Sequence, residues 1–184
     1  MTGMYTRNIW IITWGIIYLL SFKADCFPLL SNRGLNIIGN QYYRFFTGLL
    51  VHVNFFHFLM NAAALYWVVD FLDRKINDMK LLIFSIAAGV STNVIFSVLY
   101  PNSQSIGGSP VVFSLIALIA VLQVFQKDSP RFHLNTTCGL WIAGYAILGN
   151  IPIFSKDIST LTIHFLAFFV AFILGMAGTK LNLF

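Results

Sequence analysis

Six polar residues stand inside or at the edge of otherwise apolar stretches of this sequence: His52, His57, Asn61, Asn93, Ser109 and His164. A hydroxyl, imidazoles and carboxamides are the groups of nucleophilic and acid–base chemistry. What is missing narrows the choice. The chain has no Glu, and none of its acidic residues (Asp25, Asp70, Asp73, Asp78, Asp128 and Asp157) lies in the middle of an apolar stretch. An aspartyl protease working within a membrane needs two buried Asp, and a zinc protease of the His-Glu-x-x-His type needs a glutamate base. Carboxylate-driven proton or sodium transport loses its usual ligands too. Hydrolysis by serine and histidine survives this elimination.

Ser109 is set in Gly107-Gly108-Ser109-Pro110. Ser followed by Pro opens a helix well, with Ser as N-cap and Pro at the first helical position. The uncharged, Gly-containing segment from Pro101 to Gly108 precedes it. A helix from Ser109 to Gln126 spans only about 25 Å at 1.5 Å per residue. If it ends at one membrane face, its start stops below the other, and irregular backbone at that depth must line a cavity. Ser109 is then the floor of a water-accessible pocket. An ordinary serine cap at the membrane surface fits the same spacing.

His164 heads a row of small residues, Ala167, Ala171, Gly175 and Gly178, at intervals of three or four. They share one helix face and make a seam for close helix contact, which brings the imidazole against a neighbour. That is consistent with a working base and with a structural histidine bonded to a backbone carbonyl. His57 and Asn61 are four apart and share a helix face. They can serve as hydrogen-bond donors to a ligand or as a structural polar contact. Zinc is a weaker alternative, because metal-ligand spacing and a third partner are missing. His52 is five before His57, which points it elsewhere.

These residues need elements to hold them, and composition says of what kind. Hydrophobic residues make up 58% of the chain and charged residues 9%, against about a quarter charged in a soluble domain. So much apolar side chain cannot be hidden in a core of 184 residues, and the solvent must be lipid. The predicted fold is an all-α membrane protein, a single domain over residues 1–184. Six apolar helices cover about 5–22, 54–72 (within Phe45 to Leu72), 81–100, 109–126, 132–151 and 158–179.

With the N-terminus in the cytoplasm, Arg7, Arg74, Lys75, Lys80, Lys127, Arg131 and Lys180 fall inside and Lys23, Arg33, Arg44 and Lys156 outside. That bias places both termini inside. The first apolar stretch lacks a small-x-small cleavage site and reads as a retained helix. Cys26 and Cys138 fall on opposite sides, so two free thiols are expected. The first loop carries the apolar runs Cys26-Phe27-Pro28-Leu29-Leu30 and Leu35-Asn36-Ile37-Ile38. It either lies along the outer interface or packs against the helix ends. No basic run or basic helix face suggests nucleic acid, and no metal or organic cofactor is implied.

Taken together, these motifs resemble the rhomboid family of intramembrane serine proteases. Tyr43-Arg44-Phe45-Phe46-Thr47 followed by His52, His57 and Asn61 looks like the run into its second transmembrane helix. Gly107-Gly108-Ser109 with Phe113 and Leu115 resembles its nucleophile motif, and His164 with its small-residue seam resembles its catalytic sixth helix. The resemblance covers about residues 40 to 180.

It implies a rhomboid-like bundle of six transmembrane helices and a Ser–His dyad, with Ser109 as nucleophile and His164 as general base. His57, Asn61 and the Ser109 backbone N–H would stabilise the oxyanion. Arg44 would anchor the first loop, and Asp73 would stand in for a family acidic residue at the inner end of helix two. The implied substrates are transmembrane segments of other proteins, cut near the outer face, and the compact form points to a bacterial cell membrane. Pro110 stands where the family usually has Gly, Phe113 where many members have Tyr, and Ala167 and Ala171 where they have Gly. Those departures also fit a second reading, a catalytically silent rhomboid-like protein that binds membrane clients.

Overall fold

The computed structural model describes residues 4–151 and 158–184, so Lys156 and Asp157 lie outside the described residues. Eight helices and one two-stranded ribbon are found among those described. They are α1 (Met4–Leu20), α2 (Cys26–Leu30), β1 (Asn32–Arg33), α3 (Arg44–Thr47), α4 (Phe55–Leu72), α5 (Asp78–Leu99), β2 (Gln104–Ser105), α6 (Ser109–Phe125), α7 (Thr137–Leu148) and α8 (Ile158–Lys180). β1 and β2 run antiparallel, pairing Asn32 with Ser105 and Arg33 with Gln104.

Large apolar side chains cover much of the exterior. Ile9, Ile12 and Ile16 on α1, and Phe165, Phe169 and Ile173 on α8, all face outward, an arrangement that only lipid stabilises. α4, α5 and α8, of 18, 22 and 23 residues, are long and apolar enough to cross a bilayer. This is a multi-pass, all-α membrane protein.

α6 is the centre of the bundle. It is flanked by α4, α5 and α8, its most extensive contact being with α8. Val111, Val112, Leu115, Ala117, Leu118 and Val121 are wholly buried along it. A helix wrapped in protein need not match the bilayer thickness, which is why α6 makes do with 17 residues. The small-residue seam faces it: on α8, His164, Ala167, Ala171, Gly175 and Gly178 are buried. A Cβ on Gly175 would come within 3.1 Å of Val121 Cγ2, so the helices close to a distance that a larger residue would prevent. Ala167 and Ala171 are fully buried in the same seam.

Buried polar groups fasten the ends. The Asp78 carboxylate accepts the amides of Tyr5 at 2.7 Å and Thr6 at 2.9 Å, and the Thr6 hydroxyl donates to the Asp78 carbonyl at 2.6 Å. Amides at a helix start have no intrahelical acceptor, so the start of α5 caps the start of α1. Arg44, 2% exposed, donates to Ser31 O and Gln41 Oε1. Asn93 donates to Phe45 O, and its own carbonyl accepts from Asn32 and Ser97. Arg44 and Asn93 both serve to pin the first loop.

Two expectations change on contact with the structure, and a third keeps both its readings. The fifth predicted helix, 132–151, contracts to Thr137–Leu148. Thr136 caps it by accepting the Gly139 amide at 3.0 Å, and Gln123 ties down the preceding segment through Phe132 N and Pro130 O. Ser109 is the first helical residue and not the cap, a position taken by Gly108. Finally, the first loop does not choose between its two readings. It packs on the helix ends through Gly34 N–H to Ser103 O and Leu35 N–H to Ser97 O, yet leaves Leu29, Leu35 and Ile37 facing outward. A Cβ on Gly34 would fall 2.3 Å from the Pro101 carbonyl; only glycine permits that approach. Both cysteines carry free thiols.

Candidate active site

α4 begins at a cap. Asn54, in extended backbone, accepts the His57 amide at 2.8 Å, so His57 falls in the first turn and Asn61 in the second. Asn61 is 1% exposed. Its Nδ2 donates to His57 O at 2.8 Å, and its Oδ1 accepts from the Tyr145 hydroxyl at 2.8 Å. Two anchors leave one amide hydrogen of Asn61 for another acceptor.

The second component is the glycine turn into α6. Gly107 has φ +119, and a Cβ there would lie 2.6 Å from His57 Cε1. Gly108 has no room either: its Cβ would sit 2.2 Å from Trp14 Cζ2. The turn is tied by Gly107 N–H to Gly48 O at 3.0 Å and Gly108 N–H to His52 Nε2 at 3.3 Å. These constraints deliver Ser109 to the first position of α6, where its amide is among the helix's unsatisfied donors. Ser109 is 5% exposed.

The third component is α8. The His164 ring stacks on Phe113, with centroids 4.3 Å apart and planes 18° from parallel. Phe113 lies one turn beyond Ser109 on α6, so it and the serine share a helix face. His164 Nδ1 lies 3.1 Å from Asn150 Oδ1. Phe113 also packs on Tyr145, centroids 5.5 Å apart. The aromatic ring that lacks a hydroxyl still supports the imidazole.

His57, Asn61, Ser109, Tyr145 and His164 all line one cavity of about 430 Å³. All four predicted site residues are therefore brought together. His52 is not among the residues that line this cavity. It precedes α4 in irregular backbone, and its ring meets His57 edge-on with centroids 5.1 Å apart. It braces the glycine turn from behind. Among the described residues no group of three or more His, Cys, Asp or Glu gathers that could hold a metal.

Sequence reasoning passed over Trp14, Tyr145 and Asn150. Trp14 reads as one of many aromatics in an apolar helix. Tyr145 lies in α7, which carries no motif residue, and Asn150 just beyond its end; a polar Asn directly after an apolar helix was the one available signal.

The chain is a helical membrane bundle with a serine at the head of its central helix and an imidazole from α8 stacked over the same face of that helix. A Rhomboid domain model matches residues 39–181, and the chain belongs to the rhomboid family. It is 33% identical to rhomboid-type serine protease 2 of Debaryomyces hansenii over 76 residues, which is 39% of this chain and 27% of that protein. It is 22% identical over 100 residues to YdcA of Bacillus subtilis, named as a candidate rhomboid protease, covering 54% of this chain and 50% of that one. The matched stretches thus span half or less of these curated relatives.

Proposed function

We propose that this protein is an intramembrane serine endopeptidase that cuts transmembrane segments of other membrane proteins near the outer face. One observation carries the reading most: His164 is stacked on Phe113, one helical turn from Ser109, over a cavity that Asn61 and His57 also line. Family membership supports the same chemistry.

In this reading His164 takes the Ser109 proton as the Oγ attacks the scissile carbonyl. The developing oxyanion is met by the Ser109 amide, the free Asn61 N–H and the His57 ring. Collapse breaks the C–N bond, and His164 passes the proton to the leaving amine. Water, deprotonated by the same imidazole, then releases the acyl group. The chain crosses the bilayer six times, through α1 and α4 to α8, with both termini in the cytoplasm of a bacterial cell. α7, at 12 residues, spans only about 18 Å, so its flanking segments complete that crossing.

The test is fluorophosphonate labelling of detergent-purified protein. Wild type should label, and Ser109→Ala and His164→Ala should each abolish labelling while keeping the thermal unfolding transition. A folded wild type that does not label would overturn the protease reading and favour a client-binding rhomboid-like protein.

A further inference from the structure

From the contacts around His164 we infer that Asn150 is a positioning residue, holding the imidazole in the tautomer with its proton on Nδ1 so that Nε2 is left as the base. The inference rests on the protease reading for its purpose, but not for its geometry.

The argument is one of donors and acceptors. Asn150 Nδ2 lies 2.7 Å from Ala146 O, and a backbone carbonyl can only accept. The amide nitrogen must therefore face Ala146. Exchanging the two ends of the carboxamide would set oxygen against oxygen at that distance. With the nitrogen so fixed, the atom 3.1 Å from His164 Nδ1 is Oδ1, which also can only accept. Nδ1 must then carry the proton. In neutral imidazole one ring nitrogen is a donor and the other an acceptor, so the lone pair lies on Nε2, across the ring from Asn150.

Two contacts thus settle two different freedoms of the ring. The Phe113 stack sets its plane, and Asn150 sets rotation within the plane and the proton's place. Asn150 reaches the site from the end of α7: Gly149 keeps helical backbone, its N–H bonding Tyr145 O at 2.9 Å, and carries the chain one residue beyond the helix toward His164. A Cβ on Gly149 would lie 3.7 Å from Phe113 Cζ and 3.9 Å from His164 Cε1. With no carboxylate near the middle of any apolar stretch, neutral groups do the orienting: the Asn150 carboxamide, with the Gly149 backbone carbonyl beside it.

The experiment uses full-length protein with 15N-labelled histidine. The chain has four histidines, and His164→Ala identifies the signal of His164. Long-range 15N–1H correlation in wild type should show His164 protonated on Nδ1. Asn150→Leu, which keeps the bulk and removes the acceptor, should give a mixture of tautomers. Its maximal rate of fluorophosphonate inactivation should fall by roughly 10- to 100-fold, with the half-saturating probe concentration unchanged. A wild-type His164 protonated on Nε2 would overturn the inference, as would an Asn150→Leu protein with unaltered tautomer and inactivation rate. A wild type with the Nδ1–H tautomer but no labelling would count against the protease reading alone.

Discussion

Tyr145→Phe isolates the part of the site built by α7. It removes one hydroxyl, while the ring can keep its place against Phe113. Asn61 then loses one of its two anchors and is held only through His57 O. At 1% exposure, its Oδ1 has little access to water. Leaving such an acceptor unmade costs about 1–3 kcal/mol of stability. The kinetic effect is separate. Losing an oxyanion donor outright costs about 100- to 1000-fold; loosening one should cost less, about tenfold, or 1.4 kcal/mol of barrier. The assay is the rate of fluorophosphonate inactivation beside thermal unfolding, measured in wild type, Tyr145→Phe, Asn61→Ala and the double variant. If Tyr145 acts through Asn61, it has nothing left to position in Asn61→Ala, and adding Tyr145→Phe there should change the rate by less than about twofold. The same tenfold loss in both backgrounds would refute the reasoning and assign Tyr145 to packing around Phe113.

Gly107→Ala should lower inactivation by about tenfold or more: a residue at φ +119 is strained by a side chain, and its Cβ would collide with His57. Gly144→Ala, whose Cβ would have nothing within 4 Å, is the control and should leave the rate alone. An active Gly107→Ala protein would mean that the turn or the ring has another place to go. Asp78→Ala should destabilise the bundle by about 1–3 kcal/mol, because the amides of Tyr5 and Thr6 lose their acceptor; it should be read as a lower thermal midpoint, and Asp78→Asn should fall between. Unchanged unfolding in Asp78→Ala would show that water replaces the carboxylate at no cost.

What the sequence determined by itself was whatever follows from the solvent and from the spacing of residues along one helix. A chain so apolar, with its few charges outside the middle of the apolar stretches, can only be a membrane bundle. The row from His164 through Ala167, Ala171, Gly175 and Gly178 had to share a face, and that face is the buried one. His57 and Asn61 had to stand one turn apart. Each of these is local geometry, set by the helical repeat.

The tertiary structure decided what depends on separate elements meeting. Trp14 closes on Gly108 from α1, His52 bonds the turn from irregular backbone before α4, and Tyr145 and Asn150 reach the site from α7 and its end. Their partners are 84 residues away for Tyr145 and 56 for His52. Position along the chain is silent about contacts of that kind. The place of His52 is of the same kind, since the Asn54 cap starts α4 beyond it and only packing brings its ring to the glycine turn. Ser109 and His164 were legible as candidates because their neighbours are sequential; the groups packed around them were not, because hydrogen-bond partners in a bundle are chosen by packing.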